Sequence, residues 1–269
     1  VATRSNTFFI TREKRIASAP VRDSIAAAMT IDVILSPPEI DLLPKADLAD
    51  TVCVVFDVLR ATSSMITALA NGVEKIHPVC TIDEALALKK QFPDALLGGE
   101  RHGDKIDGFD LGNSPHEYRS LTTRRIITTT TNGTVALRAC ENAGRVLVGA
   151  LLNIDAVIAR LLALAPEKVL LVCAGTFREL ALEDVLAAGI VCAAIGGAVL
   201  TDSAKVAASV FEKHGGDLFS PLSESKNGRA LLAAGRAADV EWCAQRSVFD
   251  VVGQMEAGVV EKSESGVTF

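Results

Sequence analysis

The sequence predicts an α/β protein: three α/β/α layers on a mostly parallel sheet, with a helical C-terminal part. Three observations predict it. From Met29 to about residue 180, short apolar runs alternate with helical patterns, the order that builds βαβ units. The chain is 49% hydrophobic but only 4% aromatic, so its apolar mass is Ala, Val, Leu and Ile, which suits helices packed on strands buried on both faces. No linker-like run interrupts residues 29–269, so the 269-residue chain reads as one α/β unit preceded by an extension.

Taken in order, residues 1–28 are polar and unlike the rest. They read as a disordered extension or an upstream start carried into the chain, with a transit peptide as the weaker alternative. Strands are expected at 31–35, 51–57, 74–80, 95–98, 125–130, 145–149 and 168–174, with a last short strand near 248–252. Thr81-Ile82-Asp83-Glu84 is a capping box that opens a helix over 82–91. Ser114-Pro115-His116-Glu117 reads as a second one, with proline at the first helical position. Asn153 caps a helix running to Leu164, and the chain beyond 180 is helical almost to its end.

The net charge of −6 argues against nucleic acid as the main partner, because phosphate backbones call for clustered Lys and Arg. No stretch reaches the roughly 20 apolar residues of a membrane span. The six cysteines form no C-x-x-C pair and several sit in apolar runs, so they read as buried reduced thiols in a cytoplasmic protein. Cys173 alone lies near a site loop, with no histidine beside it in sequence to activate it.

The chemistry gathers beyond the carboxyl ends of the expected strands, where open parallel sheets bind ligands. Asp57 ends one apolar strand, Arg60 follows, and Thr62, Ser63 and Ser64 stand where a helix begins, a setting for a phosphate or sulfonate. The plainer reading of that cluster is a helix cap with an Asp–Arg surface pair. Glu100 and Arg101 follow another strand inside a glycine-rich loop that continues to Asn113 and Ser114, and its spacing is not the dinucleotide fingerprint. Asn132, Gly133 and Thr134 form either a backbone cradle for an anion or an ordinary βα turn. Gly175 and Thr176 follow a fourth strand. Glu179 and Glu183 read as an i, i+4 pair on one helix face, with Asp184 beside them. Carboxylates beside an anion repel it unless a cation intervenes, and magnesium (Mg2+) resolves the conflict. Asp57, Glu100 and Asp184 are the candidate ligands. Such a site points to phosphoryl transfer, with Asp57, Arg60, Glu100 and Arg101 as candidate catalytic groups.

Five segments in this order, Asp57-Val58-Leu59-Arg60-Ala61-Thr62-Ser63, Gly99-Glu100-Arg101, Gly108-Phe109-Asp110-Leu111-Gly112-Asn113-Ser114-Pro115, Thr130-Thr131-Asn132-Gly133-Thr134 and Ala174-Gly175-Thr176, resemble the signatures of the 2-phosphosulfolactate phosphatase family of coenzyme M biosynthesis. The resemblance covers about residues 30–252. It implies an α/β/α fold, a magnesium requirement and hydrolysis of (R)-2-phospho-3-sulfolactate to 3-sulfolactate and phosphate. Arg178 and Gly253 depart from the family pattern, the first in place of a small residue and the second in place of proline. Asp57 reads as metal ligand or as nucleophile. Phosphatases with an Asp nucleophile usually carry a second Asp two residues on, where this chain has Leu59. The alternatives are a phosphatase of the same fold for another 2-phospho-acid and a non-catalytic phosphate or sulfonate sensor. The sequence leaves homo-oligomerisation open.

Overall fold

The computed structural model describes residues 29–263; the expectation for residues 1–28 lies outside them. The elements run β1 (Thr30–Ile34), α1 (Pro37–Ile40), β2 (Thr51–Phe56), α2 (Ala61–Ala70), β3 (Lys75–Pro78), α3 (Ile82–Gln91), β4 (Leu96–Arg101) and β5 (Asp104–Lys105). There follow β6 (Arg125–Thr129), α4 (Gly133–Ala139), β7 (Arg145–Gly149), α5 (Ile154–Leu164), β8 (Lys168–Cys173), α6 (Leu182–Ala194) and β9 (Val199–Leu200). The C-terminal part adds α7 (Asp202–His214), α8 (Phe219–Glu224), α9 (Lys226–Ala233), α10 (Ala237–Cys243), β10 (Gly253–Glu256) and β11 (Val259–Lys262).

The strands form one sheet in the order β5-β4-β6-β3-β11-β10-β7-β2-β8-β1-β9. The β4-β6-β3 pairings are parallel, as are β7-β2-β8-β1-β9. The β10–β11 hairpin joins these two parallel halves through antiparallel contacts to β7 and β3. The central strands explain why the sheet holds. Along β2, Val52, Val54 and Phe56 enter one apolar cluster while Cys53 and Val55 enter the other. β8 divides in the same way, with Val169, Leu171 and Cys173 on one face and Leu170 and Val172 on the other. Helices α5, α6 and α7 cover the first face, and α2 and α4 cover the second.

Several expectations need correction. The chain ends not in one strand at 248–252 but in two, at 253–256 and 259–262, which form a hairpin in the middle of the sheet. Residues 248–252 form no strand; Ser247 and Phe249 donate their N–H groups to the carbonyls of Leu151 and Leu152. Ser114 opens only a short 3-10 turn, and its hydroxyl goes elsewhere. Asn153 precedes α5 as expected, but its side chain accepts from Ala150 N–H and donates to the carbonyls of Val148 and Val251. The Thr81–Glu84 box forms with both of its hydrogen bonds.

Candidate active site

The loops after β2, β4, β6 and β8 meet at a cleft of about 280 Å³, bounded on its far side by α9 and the turn that leads into α10. In the sheet, β6 and β2 are separated by β3, β11, β10 and β7. At roughly 4.8 Å per strand, a flat sheet would hold them about 24 Å apart. Yet Gly133, just past β6, lies so close to Asp57 that a Cβ there would stand 2.5 Å from its Oδ2. The sheet therefore bends sharply, as large twisted sheets do, and folds its two halves toward one site.

Asp57 is 8% exposed and lines the cleft. The first turn of α2 grips it: Ala61 N–H donates to its Oδ1 at 3.0 Å, and its own N–H donates to Thr62 Oγ1 at 3.0 Å. Among the described residues, none hydrogen-bonds its Oδ2. Burial pushes its carboxyl up to about 7; the Ala61 N–H opposes this, Glu100 and Glu183 add to it, and Arg60 pulls it down.

Arg60 is 4% exposed and held at both ends of its fork. It donates to Asp239 Oδ2 at 2.6 Å and to the Gly103 carbonyl at 2.9 Å. Asp239 also accepts from Ser114 Oγ at 2.5 Å, so one carboxylate on α10 fixes two of the sequence-predicted residues. Asn113 lines the cleft beside them.

Glu100 and Arg101 lie within β4 rather than after it. Glu100 accepts from Thr131 N–H and Gly103 N–H, both at 2.7 Å, and ties the β4–β5 turn to the loop after β6. Its carboxylate faces the cleft with both oxygens engaged. Arg101 does not line the cleft; its guanidinium donates to Thr129 Oγ1 and to the carbonyls of Glu100 and Cys80.

The loop after β6, one reading of which is an anion cradle, joins the loop after β8. Asn132 donates to the carbonyls of Ala174 and Phe177 and accepts from Phe177 N–H, so it clamps the β8 loop across the cleft. Gly175 has φ +73 and donates its N–H to Asp184 Oδ2 at 3.0 Å. The hydroxyls of Thr62, Ser63 and Thr134 are buried and satisfied by neighbouring backbone, so none is free to meet a ligand. Thr176 lines the cleft and accepts from Asn227 Nδ2 at 2.7 Å.

Asp184 lies behind the cleft. Its two oxygens accept from Val58 N–H and Gly175 N–H, and burial, with Glu183 and Asp57 nearby, raises it well above the usual carboxylate range. Glu183 is on α6, whereas Glu179 precedes the helix in a loop, so the two do not share a helix face. Glu183 accepts from Asn227 through Oε1, and its Oε2 is buried without a hydrogen-bond partner among the described residues. Burial raises this carboxyl too. Cys173 is fully buried and away from the cleft lining, its thiol pushed up by burial. Arg178 points outward to Asp41 at 2.7 Å.

Among the described residues, no three acidic, histidine or cysteine side chains are placed to hold a metal ion together. Glu100 and Asp184 spend their oxygens on backbone N–H groups, which leaves Asp57 Oδ2 as the open carboxylate oxygen of the three proposed ligands. That donor set fits magnesium, which is often held by one or two carboxylates and completes its shell with water and phosphate oxygens.

Asn227, Arg236 and Asp239 were not foreseen. All three reach the site from the C-terminal helices, where charged and amide residues in short amphipathic stretches read as solvent-facing.

Comparison with known proteins adds a family. A family model described as 2-phosphosulpholactate phosphatase matches residues 38–258. A protein of Deinococcus radiodurans named "Probable 2-phosphosulfolactate phosphatase" is 40% identical over 225 residues, covering 81% of this chain and 93% of its own. Proteins of the same name from Carboxydothermus hydrogenoformans and Thermotoga petrophila are 41% and 38% identical, over 87% and 82% of this chain and 98% and 96% of theirs. No helix among the described residues is long and apolar enough to cross a membrane.

Proposed function

The chain belongs to the 2-phosphosulpholactate phosphatase family, a family of phosphoric monoester hydrolases, and on that premise we propose that it hydrolyses (R)-2-phospho-3-sulfolactate to 3-sulfolactate and inorganic phosphate. A water oxygen bonds to phosphorus, the bond from phosphorus to the C2 oxygen breaks, and a proton ends on the released alkoxide. The placement of Asp57 supports this reading most: a buried strand-end carboxylate with one oxygen pinned by Ala61 N–H and the other open to a cleft that an arginine lines.

The chain's own residues orient the ester. Arg60, fixed by Asp239, offers a cation that does not move when substrate arrives. Gly133 keeps the space above Asp57 Oδ2 clear, since any side chain there would collide with it. Magnesium held by Asp57, water and the substrate's oxygens would neutralise charge on the phosphoryl group. The setting that goes with this substrate is the cytoplasm and coenzyme M biosynthesis.

A phosphate-release assay on a panel of 2-phospho-acids tests the reading. We expect phosphosulfolactate to be the best substrate, with turnover lost on chelation and restored by magnesium. Absence of release from every 2-phospho-acid contradicts the reaction. Undiminished turnover after exhaustive chelation removes the metal from it.

A further inference from the structure

We propose that Arg236 is a specificity-determining residue of this enzyme: it takes an anionic group of the substrate other than the phosphoryl group, leaving Asp104 to do so. The inference rests on the substrate reading above and deepens it.

Arg236 reaches the cleft by a defined turn. Helix α9 closes with Gly235 at φ +73, Gly235 N–H donating to Leu232 O and Arg236 N–H to Leu231 O at 2.8 Å. This is the Schellman arrangement, and it places Arg236 directly before α10 on the cleft wall.

There, two guanidinium groups converge on one acceptor. Arg60 and Arg236 both donate to the carbonyl oxygen of Gly103. Their carboxylate partners differ. Asp239, which holds Arg60, is 5% exposed at its side chain and is anchored by Ser114. Asp104, which holds Arg236 at 2.9 Å, is 81% exposed. A pair with so exposed a carboxylate is weak and readily exchanged, whereas a buried pair is not. The Arg236 side chain itself is 33% exposed, so solvent and ligand can reach it.

The cleft thus carries one locked cation and one exchangeable cation. A phosphosulfolactate has three anionic groups around one carbon, and a single fixed arginine leaves its carboxylate and sulfonate without a matched partner. A planar guanidinium donates two parallel N–H bonds to either group.

The experiment compares Arg236→Gln with wild type on phosphosulfolactate, on 2-phospholactate, which lacks the sulfonate, and on phosphooxyethanesulfonate, which lacks the carboxylate. We expect kcat/KM on phosphosulfolactate to fall about tenfold or more, as for loss of a charge-assisted contact. The fall should be much smaller on the analogue that lacks the group Arg236 holds, and this identifies that group. Arg236→Lys should recover part of the loss. A partly unfolded preparation lowers all three substrates by one factor, so the ratios report recognition alone. An equal fall on all three substrates, or no fall on any, overturns the inference. A wild-type enzyme that hydrolyses none of the three overturns the substrate reading, and the inference falls with it.

Discussion

Burial of the Asp57 carboxyl works against its ionisation, and that conflict has a measurable cost. Its folded value is pushed up to about 7 from an ordinary 3.8. Below about pH 4 both folded and unfolded chains hold the proton, and the carboxyl costs nothing extra. Between about pH 4 and 7 the unfolded chain ionises while the folded carboxyl keeps its proton, so stability is lost across that window and levels off above it, where the folded chain buries the charge. We therefore expect metal-free Asp57→Asn to be more stable than wild type at pH 8, by an amount on the order of a few kcal/mol, and equal to it near pH 4. Urea unfolding at the two pH values checks this; a destabilised Asn variant at pH 8 contradicts it. Asp239 behaves oppositely, because its removal strands a buried guanidinium and the Ser114 hydroxyl together. Asp239→Ala should lower stability by about 3–5 kcal/mol, read from the denaturation midpoint, with Asp239→Asn milder because it keeps one acceptor.

The elements differ in how plainly their residues announce them. β2 and β8 were legible because both faces are buried, so nearly every position is apolar. The β10–β11 hairpin was not. Its strands, Gly-Gln-Met-Glu and Val-Val-Glu-Lys, are too short and too polar to stand out, and its turn is Ala257-Gly258, both at positive φ, rather than the Asn-Gly that marks such turns. The more apolar Val248–Val252 run drew the strand assignment, yet it serves as a bracing segment against the turn before α5. The site divides along the same line. Asp57, Asn132 and Gly175 stand where strand ends predict them, while Arg236 and Asp239 depend on α9 and α10 folding over the cleft, and no local pattern encodes that approach. At the start of α4, Gly133→Ala would put a Cβ 2.7 Å from that of Ala61 as well as against Asp57. The carboxylate must shift, and activity should fall on the order of 10²-fold with helix content by circular dichroism unchanged. Full activity in that variant would show that the space above Oδ2 is not needed.

At the scale of the whole molecule, the hairpin is what makes one sheet of two. β10 pairs with β7 and β11 with β3, and Met255 and Val260 enter the core shared by both halves. Removing residues 253–262 would open two strand edges and uncover that core. We expect the shortened chain to aggregate or to lose its single cooperative unfolding transition, measured by light scattering and thermal melting. A soluble, cooperatively folding product would mean that the halves hold together without it. The bend that the hairpin spans brings the β6 loop onto Asp57, so the molecule's architecture and its chemistry meet at one carboxylate. Steady-state phosphate release from 2-phospho-3-sulfolactate, with magnesium, by wild type and by Asp57→Asn tests that account most directly. It predicts turnover by the wild type and a loss of about 10²-fold or more in kcat for the folded variant; a well-folded Asp57→Asn enzyme with near wild-type kcat would contradict it.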